Sequence, residues 1–236
     1  NMTERPSYIL FITDQQRYDH LGCNGHPVLR TPNIDAMAAE GVNHDRFYVA
    51  SPVCMPNRAS LMTCRMPSSH GTRSLGIPLS QDNVTFAELL SAAGYDTCLI
   101  GKSHLQNVSD WDIQIDPPEH RAGYSAPPDD LAVAVRSDLD RETYQYERQE
   151  YWDKPDPEVP LPFYGFNEYT AVMRHGFNTG GAHLEWVKKH APETLALRGR
   201  DKQFSHDYSV PQAIRTKVPE EHYSTSYIAD RAAEWL

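Results

Sequence analysis

Residues 94–104 read GYDTCLIGKSH, a short apolar run that a glycine precedes and a polar tail follows. The β-prone residues 95–100 predict a buried strand, because apolar runs of this length bounded by glycine are typical of sheet cores. Residues 83–93 carry apolar side chains at helical spacing and predict a helix that ends at Gly94. A helix followed directly by a buried strand is one unit of an α/β fold.

The N-terminal part of the chain repeats this alternation. Residues 7–13 (SYILFIT) form a second β-rich run, which predicts a buried strand of a parallel sheet that stops at Asp14. A helix is predicted from Thr31 to Gly41, and another from about Pro56, since proline is favoured in the first helical turn. This order favours an α/β fold with a mostly parallel sheet and right-handed crossovers.

Composition excludes several classes of function. The 236 residues carry 22 basic and 32 acidic side chains, a net charge of −10, whereas a nucleic-acid binder needs a basic surface. The longest apolar runs are too short to span a bilayer. None of the four cysteines stands in a CxxC pair, which argues against structural zinc and favours a reducing compartment. We therefore predict a cytoplasmic location in a bacterium, with export after signal removal as the alternative.

Three segments are predicted along the chain. Residues 1–106 form the N-terminal part of the α/β domain, and residues 107–219, rich in proline, acids and tyrosine, form an irregular, lid-like excursion over the surface. Residues 220–236 begin an amphipathic helix that returns to the domain. The sequence stops at the apolar pair Trp235-Leu236, so we expect the natural protein to continue. The alternative is a C-terminal helix that docks and ends there.

The strongest signal for chemistry is SPVCMPNR at residues 51–58. Cys54 lies just before the predicted helix start, where backbone N–H groups and the helix dipole favour an anion and lower the pKa of a thiol. Arg58 lies one helical turn further on and can face the same anion. The residues predict a nucleophile beside an oxyanion site; a buried cysteine before a capped helix is an equally good interpretation.

Two weaker signals follow the two predicted strands. Asp14 and Gln15 offer a carboxylate and an amide oxygen, which suit Ca²⁺, Mg²⁺ or Mn²⁺, although a helix-capping aspartate is the simpler interpretation. Lys102 and His104 could stabilise negative charge and move protons, or could belong to a solvated loop. If the strands are neighbours, all four side chains meet at one sheet edge.

At these residues the sequence resembles the sulfatase family. Residues 54–58 (CMPNR) match its Cys-x-Pro-x-Arg signature, and residues 94–104 match its second signature. Residues 31–35 (TPNID) and 65–71 (RMPSSHG) are also typical of the family. The resemblance is dense over residues 7–106. It implies the alkaline-phosphatase-like fold, a mixed, mostly parallel sheet flanked by helices.

The resemblance also implies a reaction. Cys54 would be converted to formylglycine by a maturing enzyme, and its hydrated form would attack sulfur or phosphorus in a small anionic ester. Asp14, Gln15 and the modified Cys54 would bind one divalent metal, with Ca²⁺ expected and Mg²⁺ or Mn²⁺ as alternatives. The side chains that hold the transferring group would be Arg58, Lys102 and His104. Family members often form homo-oligomers, and neither nucleic acid nor a membrane is an expected partner.

The sequence departs from the family pattern at three places. Asp14-Gln15 stands where many members have two aspartates, which resembles the branch of phosphonate monoester hydrolases and choline-sulfatase-like enzymes. Residues 63–65 read Thr-Cys-Arg where Thr-Gly-Arg is usual. No convincing match to the family's downstream metal ligands or leaving-group histidine precedes Leu236. We therefore expect this chain to be inactive by itself.

Two other functions remain open at this point. A metal-free enzyme could use Cys54 as a thiolate nucleophile paired with His104. A non-catalytic anion-binding module could have kept the scaffold, although binding alone does not need the nucleophile.

Overall fold

The computed structural model describes residues 5–109, 122–123, 125, 128, 133–135 and 139–236. The chain divides into two compact units, Asn1–Val49 and Ala50–Leu236.

The described residues of the second unit form a three-stranded mixed sheet. Strands β1 (Cys98–Gly101) and β2 (Glu168–Met173) pair in parallel, with Cys98 opposite Glu168 and Gly101 opposite Ala171. The short strand β3 (Gly180–Gly181) runs antiparallel to β2, which gives the order β1-β2-β3. The parallel pair confirms the predicted α/β class with a mixed sheet.

The central strand β2 comes from the segment predicted as an irregular excursion. Its six residues, EYTAVM, lie inside residues 107–219, part of which falls outside the described residues. The predicted segment boundaries stay predictions, but the segment contributes the middle of the sheet as well as loops. A strand this short, with mixed polar and apolar residues, carries too little periodicity to be recognised from sequence.

Six helices accompany this sheet in the described part of the second unit. They are α2 (Cys54–Thr63), α3 (Pro67–His70), α4 (Phe86–Ala92), α5 (Gln149–Trp152), α6 (Ala182–His190) and α7 (Ser224–Trp235). The helix predicted near Pro56 is confirmed but begins at Cys54. The helix predicted over 83–93 is shorter and begins after Thr85, which forms a capping box with Glu88.

The core of this unit lies between α2, α4 and an aromatic turn at residues 163–166. Phe163, Tyr164 and Phe166 are at most 7% exposed, and the Tyr164 hydroxyl donates to the Leu79 carbonyl at 2.6 Å. Gly165 in this turn has φ of 87°, and a Cβ there would lie 2.2 Å from the backbone nitrogen of Glu88. Only glycine fits between the turn and α4.

In its described residues, 5–49, the first unit contains one α-helix, α1 (Pro32–Glu40), which confirms the helix predicted from Thr31 to Gly41. Asp35 on this helix accepts hydrogen bonds from the Cys23 N–H at 2.7 Å and the Thr31 hydroxyl at 2.8 Å. These bonds join α1 to a 3₁₀ turn at Gly22–Asn24. The TPNID motif therefore has a structural role in closing this turn.

The strand predicted at residues 7–13 is wrong in this structure. The segment has no regular secondary structure, and its apolar side chains are exposed, Tyr8 by 68% and Phe11 by 73%. An apolar run becomes a strand only when neighbouring strands accept and donate its backbone hydrogen bonds, and the described residues provide no such ladder for it.

Across the described residues, no helix has both the length and the apolar character needed to cross a membrane.

Candidate active site

The N-terminus of α2 presents Cys54 as its first residue, partly exposed. The Val53 N–H donates to the Ser51 hydroxyl at 3.3 Å, and the helix ladder begins with the Asn57 N–H bonded to the Val53 carbonyl at 3.0 Å. Pro56 has no N–H, so Cys54 and Met55 carry the first-turn N–H groups that lack a helical acceptor. These two donors and the helix dipole favour an anion beside residue 54.

Arg58 connects this helix to the loop after β1. Its side chain is 6% exposed, and its guanidinium donates to the backbone carbonyl of Lys102. Within the described part of the chain, Arg58 has no carboxylate partner. A buried guanidinium with spare donors one turn after Cys54 is suited to hold an oxyanion at the helix N-terminus.

The carboxyl ends of β1 and β2 meet because the two strands are parallel. Lys102 follows β1, and the Arg174-His175 pair follows β2. The Lys102 Nζ lies 3.2 Å from Nδ1 of His175, a distance for a hydrogen bond in which the ammonium donates. That bond keeps the proton of a neutral His175 ring on Nε2.

The sequence alone does not predict a role for His175. Its neighbours in the chain contain no motif, and only the parallel pairing of β1 with β2 brings it to Lys102.

Glu147 was also missed, and it holds the loop that carries Lys102 and His104. This carboxylate is fully buried and accepts hydrogen bonds from the N–H groups of His104 and Gln106, each at 2.7 Å. The Tyr169 hydroxyl on β2 donates to it at 3.2 Å. Burial raises the pKa of Glu147, while the two N–H donors oppose that shift. Glu147 thus fixes the loop after β1 against β2.

His104 is held by this bond in an uncommon backbone conformation. Its φ is 53°, and its side chain is 4% exposed. His104 therefore lies at the carboxyl end of β1, on the loop of Lys102, as the sequence predicts. The structure places it in the interior of the unit rather than in a solvated loop.

His70, in the RMPSSHG motif, is a buried structural histidine. Nδ1 accepts from the Thr72 N–H at 3.1 Å, and Nε2 lies 2.9 Å from the Ser60 hydroxyl on α2. Its ring therefore carries the proton on Nε2, which donates to Ser60. Burial lowers the pKa of His70 to about 4. The motif fixes α3 against α2, the helix that presents Cys54.

The predicted metal ligands Asp14 and Gln15 belong to the first unit, so their proximity to Cys54 stays a prediction. Their oxygen atoms are the donor type that Ca²⁺ and Mg²⁺ prefer. Among the described residues, no three or more His, Cys, Asp or Glu side chains converge on a point that could hold a metal. The donor chemistry fits a hard cation, and two residues supply only part of the about six to eight ligands that Ca²⁺ takes.

Cationic side chains at the carboxyl edge of an α/β sheet, beside a helix N-terminus, define a protein equipped to bind an oxyanion. The sequence model of the sulfatase family matches residues 6–155 of this chain. The chain belongs to the sulfatase family.

Characterised relatives support this assignment. An ulvan-active sulfatase of Formosa agariphila is 34% identical over 155 residues, which cover 66% of this chain and 28% of the relative. An arylsulfatase of Clostridium perfringens is 42% identical over 103 residues, 43% of this chain and 21% of the relative. The chain thus spans about a fifth to a third of the length of these relatives.

A solved structure confirms the fold over almost the whole chain. The phosphonate monoester hydrolase of Agrobacterium radiobacter matches 94% of this chain and 36% of its own with a TM-score of 0.58, at 21% identity. This likeness confirms the alkaline-phosphatase-like fold predicted from the resemblance.

Proposed function

We propose that this chain carries the nucleophile and anion-binding half of the active site of a sulfate ester hydrolase. The observation that carries the proposal is the position of Arg58, one turn after Cys54 on α2 and hydrogen-bonded to the Lys102 carbonyl. This bond joins the two sulfatase signatures of the sequence at one sheet edge. Membership of the sulfatase family supports the sulfate ester as substrate class.

The residues of the chain would act mainly by binding and orienting the transferring group. The Cys54 and Met55 N–H groups and the Arg58 guanidinium would bind oxyanion oxygens at the helix N-terminus. Lys102 would add a second positive charge from the end of β1. His175 would hold the Lys102 ammonium in position through their hydrogen bond. Donors fixed in this way stabilise charge that grows in the transition state without reorganising.

The nucleophile would come from residue 54 itself. As hydrated formylglycine it supplies an oxygen that can attack sulfur and a second hydroxyl through which sulfate can later be released. A divalent metal held by Asp14 and Gln15 would supply Lewis-acid stabilisation of the oxyanion when bound. Ca²⁺ is the proposed ion because both ligands are oxygen donors, with Mg²⁺ and Mn²⁺ also compatible.

The first test is mass mapping of the peptide that spans Ser51 to Arg58, after co-expression with a formylglycine-generating enzyme. We expect a mass loss from thiol to aldehyde at Cys54. Cys64, at the end of the same helix, is exposed and serves as the internal control, because it should stay a thiol. An unmodified Cys54 under conditions that mature another sulfatase would contradict the formylglycine mechanism.

The second test is turnover of an aryl sulfate by the whole protein, with and without a chelator. We expect activity to disappear in the Cys54→Ala variant and on chelation, and to persist in Cys64→Ala. We expect the 236-residue chain alone to show no turnover. Turnover that survives chelation would instead favour the metal-free Cys54 and His104 mechanism, and sulfate binding with no turnover by the whole matured protein would favour an anion-binding module.

A further inference from the structure

A cavity of about 270 Å³ opens beside the carboxyl end of β2, outside the residues assigned to the active site. Two arginines and a set of polar and apolar residues line it. The two are Arg174 and Arg198; the others are Gln149, Phe177, Asn178, Thr179, Leu184, Leu195 and Gly199. No aspartate or glutamate lies among these lining residues, although acidic residues outnumber basic ones in the chain as a whole.

The positive charge of Arg198 has no carboxylate partner in the part of the chain that the structure describes. Its Nε donates to the Phe177 carbonyl at 2.8 Å, and its Nη2 donates to the Thr179 carbonyl. Its Nη1 is buried and has no hydrogen-bond partner among the described residues. A guanidinium stays protonated in proteins, so its buried N–H always needs an acceptor. An N–H without one destabilises the fold, and a ligand that accepts a hydrogen bond from it would remove that cost.

Arg174 adds a second guanidinium to the same cavity. Its one hydrogen bond among the described residues joins Nε to the Val108 carbonyl at 3.4 Å, and it has no carboxylate partner there. Its φ is 63°, a left-handed conformation that is uncommon for a residue other than glycine. Asp153, which accepts from Gln149, is itself paired with Lys188 at 3.5 Å and therefore does not neutralise the arginines.

The cavity adjoins the proposed active site through the backbone. Arg174 and His175 are consecutive, with Cα atoms about 3.8 Å apart, and His175 contacts Lys102. Leu184, Leu195 and Phe177 supply apolar surface beside the two charges. A ligand held at both places would have to extend from Lys102 to the cavity, with its apolar part against these side chains.

We propose that the Arg174–Arg198 cavity binds an oxyanion on the non-reacting part of the substrate, such as a carboxylate or a second sulfate. The preferred substrates are then sulfate esters with an additional acidic group. This inference rests on the proposed function for the reaction, but the cavity itself can be tested without turnover.

The binding test titrates the whole protein with sodium sulfate and follows the arginine Nε–H groups by NMR, with sodium chloride at equal ionic strength as reference. We expect saturable shifts at Arg198 that chloride does not produce. Arg174→Gln should weaken this binding about tenfold or more, the value of one charged hydrogen-bond partner. Arg200→Gln is the matched control, because Arg200 is exposed and lies outside the cavity.

Three outcomes would overturn the proposal: shifts at Arg198 that do not saturate, that chloride reproduces, or that Arg174→Gln leaves unchanged. The Arg174→Gln variant should fold, because the native side chain makes only one long hydrogen bond in the described structure. A second variant, Arg198→Lys, keeps the charge and loses the paired donors, and it too should weaken sulfate binding.

The substrate test compares an aryl sulfate with its carboxylated analogue on the whole matured protein. We expect kcat/KM to be higher for the carboxylated ester and the ratio to fall about tenfold in Arg174→Gln. An equal ratio in both proteins would overturn the substrate inference. If neither ester is hydrolysed, the proposed function fails, while the sulfate titration still decides whether the cavity binds oxyanions.

Discussion

Replacing Glu147 tests whether one buried carboxylate holds the loop that carries Lys102 and His104. Its two oxygens accept the His104 and Gln106 N–H groups, both at 2.7 Å, in the interior of the second unit. Leucine has a similar size and accepts neither bond. Each buried N–H left without an acceptor costs about 1–3 kcal/mol, so Glu147→Leu should lower the free energy of unfolding by about 2–6 kcal/mol.

Glutamine at position 147 separates hydrogen bonding from size. It keeps one acceptor oxygen and points an amide N–H₂ at the second backbone N–H, so about half of the leucine penalty should remain. Chemical denaturation measures both variants. Glu150→Gln, an exposed position three residues later, is the control and should change stability by less than about 0.5 kcal/mol.

Amide hydrogen exchange gives the site-specific measurement. In Glu147→Gln, the amides of His104 and Gln106 should exchange faster, while amides in α6 should keep their protection. Unchanged exchange at both amides, or a loss of protection spread evenly over the unit, would refute the role of Glu147 as a positioning residue. In the whole matured protein the same variant should lose aryl sulfate turnover, with kcat affected because Lys102 is displaced.

Three further results are expected. Burial lowers the pKa of His70 from 6.5 to about 4, so the unfolded chain takes up the proton at a higher pH than the folded chain does. The free energy of unfolding should therefore fall by about 3 kcal/mol as the pH drops from about 6.5 to about 4. Urea midpoints at pH 7 and pH 4 should show this loss, and an equal loss in His70→Asn would contradict it. Cys64 follows α2 with φ of 55°, a conformation that glycine adopts more readily than cysteine. Cys64→Gly should therefore increase the free energy of unfolding by about 1 kcal/mol and raise the melting temperature. A lower melting temperature would contradict the idea that the left-handed backbone at residue 64 is strained. Gly165→Ala would place a Cβ 2.2 Å from the Glu88 nitrogen and should cost about 3 kcal/mol or more in denaturation; a neutral result would show that the turn can move away from α4.

Local signals in the sequence were sufficient for several elements. The helix at residues 32–40 and the helix that begins at Cys54 follow from caps, proline positions and apolar spacing. Strand β1 follows from an apolar run between two glycines, although it begins three residues later than predicted. Cys64 shows the same principle, because its left-handed backbone explains why glycine is usual at that position of the motif.

The strand predicted at residues 7–13 was wrong because a strand does not depend on local signals alone. An apolar, β-prone composition is compatible with a strand, but a strand also needs a neighbouring backbone to pair with, and composition contains no information about that neighbour. The predicted meeting of Asp14 with Lys102 depends on the same pairing and stays a prediction.

The sequence by itself determined the family and the α/β class, and it predicted Cys54, Arg58, Lys102 and His104 as site residues, because each of these depends on chemistry within a few neighbouring positions. Only the tertiary structure decided that β2 pairs beside β1, that His175 contacts Lys102, and that Glu147 bonds the loop between them. These contacts join residues that are 41 to 73 positions apart. Such pairs form because parallel strands must align their carboxyl ends and buried N–H groups must find acceptors, and both requirements are met only in the folded chain.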